Sequence, residues 1–219
     1  MPNVIIQDLT AVINGTSRQW AGYDTVHVDT FIQTDSPIPL DSFYYVPNGS
    51  SVPNEVLALF KLAKLDMYPM QESTILQGTE NIREIATSEN LEGTIADASR
   101  LLLRSVMKKT SLTPVTGTSN CYIISYDYKL FPVEPNVFEF KVVLPFDGLT
   151  VNPSGNRIQA TICAPIGSII NPIMTKGIDS NGNEIQESIT SITSIPNIRK
   201  PIVSFEYQID PEFTVQYNY

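Results

Sequence analysis

This chain has little of what most catalytic or metal chemistry needs. Its 219 residues include one histidine, His27, two cysteines, Cys121 and Cys163, and one tryptophan. The cysteines form no CxxC pair and no disulfide framework. With a single histidine beside them, a structural zinc site lacks its usual ligands. Basic residues number 14 against 23 acidic ones, a net charge of −9. That balance argues against nucleic-acid binding, which needs a basic footprint, and gives no support for attraction to an anionic membrane surface. No stretch approaches the ~20 apolar residues of a membrane helix. The opening MPNVIIQDLTAV has neither the basic start nor the apolar run of a secretory signal. The expectation is a chain made in a reducing cytoplasm and not exported by a signal.

Motifs for chemistry are equally sparse. There is no G-x-G-x-x-G, no G-x-x-x-x-G-K-[ST] and no G-x-S-x-G, so neither a phosphate-cradling loop nor a nucleophile elbow is signalled. In VHVD, strand alternation places His27 and Asp29 on one face, where a carboxylate could tune a base. Without a partnered nucleophile they read as an ordinary surface or packing pair. Glu139 and Glu206 lie in strands opposite the apolar positions and read as solvated or interfacial. No catalytic, cofactor-binding or metal-binding residue is assigned, and no cofactor is expected.

Apolar patterning divides the chain. Residues 1–52 are β-leaning, with VIIQ and TVHVDTFIQT separated by the Asn14-Gly15 turn. They continue into SPIPLDSFYYVPNGSSVP, whose Pro37, Pro39, Pro47 and Pro53 predict an extended arm crossing a surface instead of pairing in a sheet. Residues 53–110 predict two helices. PNEVLALFKLAKLD carries the stripe Val56, Leu59, Phe60 and Ala63. A second helix, capped at Ser88 or Asn90, carries Leu91, Ile95, Ala98, Leu102 and Val106. A further helical turn is expected near 81–86. From Cys121 the period becomes two, in Tyr122–Leu130, Phe138–Leu144, Ile158–Ile162, Val203–Ile209 and Phe213–Tyr219.

The expected fold is α+β and β-dominated: one domain over 1–219, with an antiparallel β-sandwich or small barrel in the C-terminal half (111–219) and a two-helix insertion in the middle. The last strand runs to Tyr219 and must be paired, internally or with a neighbour.

Two local stretches pose choices. GIDSNGNEIQES alternates Asp179, Asn181 and Asn183 like a calcium loop. Counting from Asp179, however, Glu184 is sixth and Thr190 twelfth, where an EF-hand needs glycine and glutamate. Asn181-Gly182 reads as a hairpin tip. SITSITSI, with isoleucine every third residue, reads as a bent edge strand. Asn14-Gly15-Thr16 and Asn48-Gly49-Ser50 match glycosylation acceptors, but without a secretion signal they read as turns. Ten tyrosines fit either core positions with hydroxyls at the rim or an exposed sugar- or protein-binding surface.

The start MPNVIIQ, the arm SPIPLDSFYYVPNGSSVP and the Asn/Ser/Thr/Ile-rich strands ending FTVQYNY together resemble tailed-bacteriophage virion proteins. The resemblance is one of texture and carries no functional residues across. It implies a non-enzymatic structural subunit of a connector, tail or baseplate, located in the virion. Its partners would be copies of itself and neighbouring virion proteins, with no nucleic acid and no membrane. Charged residues at 17%, against about 25% in free-standing domains, agree with a surface covered by partners. The rival is a carbohydrate- or receptor-binding β-domain using exposed tyrosines.

Overall fold

The structure is a computed structural model describing residues 2–19, 21–39, 42–48, 52–87, 89–185, 190–195, 197–208 and 211–219. It is β-dominated, with several sheets and a smaller helical part. The chain opens with β1 (Asn3–Asn14) and β2 (Asp24–Thr34), then β3 (Phe43–Pro47). Helices α1 (Asn54–Leu62), α2 (Glu72–Ile75), α3 (Ile82–Ile85) and α4 (Leu91–Ser105) follow. Next come β4 (Met107–Ser111), β5 (Thr113–Pro114), β6 (Cys121–Leu130), β7 (Pro132–Glu134), β8 (Val137–Val143), β9 (Thr150–Val151) and β10 (Arg157–Cys163). The last are β11 (Ile169–Ile170), β12 (Lys176–Ile178), β13 (Thr190–Ile195), β14 (Lys200–Tyr207) and β15 (Glu212–Asn218).

The largest sheet runs β13-β14-β10-β1-β2-β6-β5, with β9 beside β1. A second sheet runs β11-β15-β8-β7, with β12 beside β15, and β3 pairs with β4. The expected alternations hold: Tyr122, Ile124, Tyr126 and Tyr128 point inward, as do Phe138, Phe140 and Val142, and Phe213, Val215 and Tyr217. Side chains from both large sheets belong to one hydrophobic cluster. Each fully buried large apolar side chain there contributes about 1.5–3 kcal/mol.

Three expectations need correction. The β architecture is not confined to the C-terminal half, because β1 and β2 lie in the middle of the largest sheet. Nor is that sheet wholly antiparallel. The β1–β2 hairpin fills one side of β1, and β10, arriving after the whole helical segment, pairs parallel on the other. A parallel neighbour needs such a long crossover, and periodicity alone does not reveal strand direction.

The proline-rich arm is the third correction. Instead of crossing a surface, β3 pairs with β4 from Phe43↔Ser111 to Pro47↔Met107. Strand alternation then sends Tyr44 and Val46 into the main core and Tyr45 into a second cluster with Phe60, Ile75, Leu103 and Met107. Five residues thus tie the helical segment to the sheets. Ile38 is also buried, and its N–H donates to the Tyr122 hydroxyl at 2.9 Å.

The helices fall close to their expected places. Asn90 occupies the position before α4, whereas Ser88 lies outside the described residues. The face of α4 is rotated from the expected stripe: Ser99 and Leu103 are buried, while Leu91 is exposed. The cause is that α4 packs against α1, α2 and α3 together, and against β4 at its end, so the buried sector follows several elements instead of one flat face. Among the described residues no helix is long and apolar enough to cross a membrane.

Candidate functional site

The sequence places its one histidine on the outer face of β2, and the sheet register decides what surrounds it. His27 pairs with Asp127 on β6, and Asp29 with Ser125. The result is a chain of polar groups across two strands. His27 Nδ1 lies 2.7 Å from Asp127 Oδ1, and Nε2 lies 3.0 Å from Asp29 Oδ2. Ser125 Oγ donates to the other Asp29 oxygen.

This is not a hydrolytic arrangement. Both ring nitrogens are taken by carboxylates, and the serine bonds to aspartate, not to histidine, so no nucleophile meets a base. The hydrogen bond to Asp127 raises the His27 pKa; burial opposes it, and the charge of Asp29 adds to the rise. Because the folded-state value is raised, the stability it brings is full below the unfolded value near 6.5 and fades as pH climbs through the folded value. His27 is 46% exposed in its side chain, so screening keeps the effect below about 1 kcal/mol. The urea midpoint of wild type is expected to exceed that of His27→Gln by more at pH 5.5 than at pH 8.5. Equal gaps at both pH values would contradict the pairing.

A second polar cluster is buried, and the sequence analysis missed it. Asp24 begins β2 in phase with Val26 and Val28 and is fully buried. Its Oδ1 accepts from Ser17 N–H at 3.0 Å and Ser17 Oγ at 2.6 Å. Its Oδ2 accepts from the hydroxyls of Tyr217 at 2.6 Å and Tyr219 at 2.7 Å. Burial, with the carboxylate beside them, pushes both tyrosine hydroxyls well above their ordinary range, so they act as fixed donors. The Arg18 guanidinium sits 4.5 Å from the Tyr219 ring centre and donates to Ile166 O at 2.6 Å. The network clamps the chain end to the β1–β2 connection. Alternation was the available signal, since Asp24 shares the inward phase of β2.

A cleft of about 770 Å³ opens between α1 and the β7–β8 hairpin, lined in part by Leu57, Phe60, Lys61, Phe131, Val133 and Lys141. One cation of its lining already has partners: Lys141 Nζ lies 3.1 Å from Asp66 and 3.5 Å from Glu212. Burial works against the Lys141 ammonium, yet these carboxylates hold its pKa above the ordinary value. The cleft therefore joins the helical segment to the sheets, with the Lys141 ammonium held between two carboxylates.

No known protein family and no curated protein matches the chain. Function must therefore be argued from its own surface. The tyrosines of the rival reading are turned inward: Tyr44, Tyr45, Tyr122, Tyr126, Tyr128 and Tyr217 are buried, and the other four are half-buried.

The GIDSNGNEIQES stretch is a turn over its described part. Asp179 N–H donates to Asn183 O at 2.9 Å, Ile178 bridges Glu184, and Gly182 has φ +82°. Asp179 caps it, accepting from the N–H groups of Asn181 and Asn183, which holds its carboxyl below the usual range. Glu187 and Ser188 lie outside the described residues. Among the described residues, no group of three or more His, Cys, Asp or Glu side chains is placed to hold a metal ion.

What the surface does offer is aliphatic. Between β10 and β12, Ile166, Ile169, Ile173 and Met174 are all exposed, Ile169 at 66% and Ile173 at 79%. SITSITSI, over its described residues 190–195, is the edge strand β13. It pairs with β14 without a register shift, so the expected edge is present and no bulge bends it.

Proposed function

We propose that this chain is a non-enzymatic structural subunit of a large assembly, a virion component of connector, tail or baseplate type that works through subunit–subunit contacts. We read its eight- and five-stranded sheets as the two layers of a β-sandwich sharing the common core. The carrying observation is the exposed run Ile166, Ile169, Ile173 and Met174 on a chain with only 17% charged residues. Four exposed aliphatics within nine residues of chain are costly on a free monomer if they form one patch and ordinary where a partner covers them. Phe43–Pro47 of the proline-rich stretch pairs with β4, and the last strand pairs with β8, β11 and β12 of its own chain, so neither adds support.

The test is incorporation. Mass spectrometry of purified particles is expected to find the chain at stoichiometric amounts. Ile169→Lys with Ile173→Lys is expected to keep the melting temperature within about 2 °C, as surface substitutions do, and to lower incorporation at least tenfold. Wild-type incorporation of the double variant, or absence of the normal chain from particles, would overturn the reading.

A further inference from the structure

We propose that the free edge of β13 is a self-association strand: it pairs antiparallel with β13 of a second copy across a two-fold axis, Ile192 opposite Ile192. This rests on the assembly reading and names one partner within it.

Sheet edges carry devices that prevent unwanted pairing. Short strands, prolines and charges on the edge are the usual devices. The other edges here use them. β5 is two residues long and ends in Pro114, β7 carries Pro132 and Glu134, β11 is two residues long, and β4 carries Lys108 and Lys109. β13 carries none. It is six residues long, reads TSITSI, and has no charge, no proline and no register shift. Among the described residues no strand lies beyond it.

Side-chain phase then selects the register. Ile192 pairs with Val203, which is fully buried, so Ile192 lies on the inward face of the sheet. Yet it remains 44% exposed, because the core stops short of this edge. A two-fold axis normal to the sheet keeps the inward faces of both copies on one side, and then the residue on the axis must oppose itself. Ile192 is the apolar inward residue of β13, and this register covers it with its counterpart.

Charge selects the partner. Copies with net charge −9 repel one another, and an uncharged strand is where they approach at least cost. The flanks are also complementary. Ile195 pairs with Lys200, preceded by Arg199, whereas at the other end Thr190 pairs with Phe205, followed by Glu206. In the proposed register the Lys200 end of one copy stands level with the Glu206 end of the other. The two backbones are then about 14 Å apart at the usual strand spacing of ~4.8 Å, a gap that two long side chains narrow. Lys200 and Glu206 share the outward phase of β14. A parallel pairing would set basic end against basic end.

The experiment is site-directed cross-linking of the full chain with copper phenanthroline and air as oxidant. The unsubstituted chain reports any contribution of Cys121 and Cys163. Ile192→Cys is expected to give a disulfide-linked dimer of twice 24.3 kDa. Ser194→Cys is expected to give none above the parent, because its counterpart lies about 13 Å further along the strand. Ile192→Lys is expected to reduce the dimer fraction in sedimentation at least tenfold, with near-ultraviolet dichroism unchanged. Equal cross-linking at 192 and 194, or none at 192, would overturn the edge pairing. If Ile192→Lys leaves particle incorporation intact while Ile169→Lys with Ile173→Lys abolishes it, the edge proposal falls and the assembly reading stands. If neither substitution changes incorporation, both fall.

Discussion

A chain lacking Phe213–Tyr219 is expected to lose its cooperative fold outright. Strand β15 is interior to its sheet, paired to β8 from Glu212↔Val143 to Asn218↔Val137 and to β11 and β12 on its other side. It sends Phe213, Val215 and Tyr217 into the main core, each at most 1% exposed. Phe213 stacks on Phe205 at 4.5 Å, and Tyr217 stacks on Phe138 at 5.4 Å. Burial of these three side chains alone is on the order of 5–9 kcal/mol, comparable with the whole stability of a domain, about 5–15 kcal/mol. The truncated chain should be insoluble, or should show no near-ultraviolet dichroism and no melting transition, while part of the far-ultraviolet helix signal persists. The helices survive in part because α1, α2 and α4 keep a cluster of their own around Phe60, Ile75 and Leu103. A truncated chain that melts like wild type would contradict this placement of β15.

Asp24→Ala is expected to cost about 3–5 kcal/mol, because it leaves the Tyr217 hydroxyl, the Tyr219 hydroxyl and two Ser17 donors without their shared acceptor. For a chain of 219 residues that corresponds to a fall in melting temperature of roughly 8–15 °C. Tyr217→Phe removes one donor and leaves the carboxylate three, so its cost should be nearer 1–2 kcal/mol. The double variant should cost little more than Asp24→Ala alone, since the lost hydroxyl no longer has a partner. Thermal melts of the four proteins check this. An Asp24→Ala chain melting within about 2 °C of wild type would show that the carboxylate is not the anchor of the chain end.

The sequence was most legible where one period dominated a segment. Tyr122 to Leu130 and Phe138 to Val142 alternate cleanly and are strands with those residues inward. It was least legible where tertiary pairing overrode local chemistry. Four prolines in SPIPLDSFYYVPNGSSVP predicted an unpaired arm, yet only Pro47 lies within β3, at its last position, where the missing N–H breaks little of the ladder. The parallel placement of β10 beside β1 depends on contacts about 150 residues apart, which no local window reads. The candidate surfaces divide the same way. The edge at SITSITSI was readable from composition, whereas the exposure of Ile169 and Ile173 depended on where the core ended. His27 and Asp29 were placed together by alternation, but Asp127, the carboxylate that dominates the histidine, comes from the register of another strand.

We propose a chain built to associate. Sedimentation velocity of the purified, full-length chain over a hundredfold range of concentration tests it most directly. A reversible shift from 24.3 kDa to a dimer or larger species is expected as concentration rises. A single 24.3 kDa species at every concentration would contradict it.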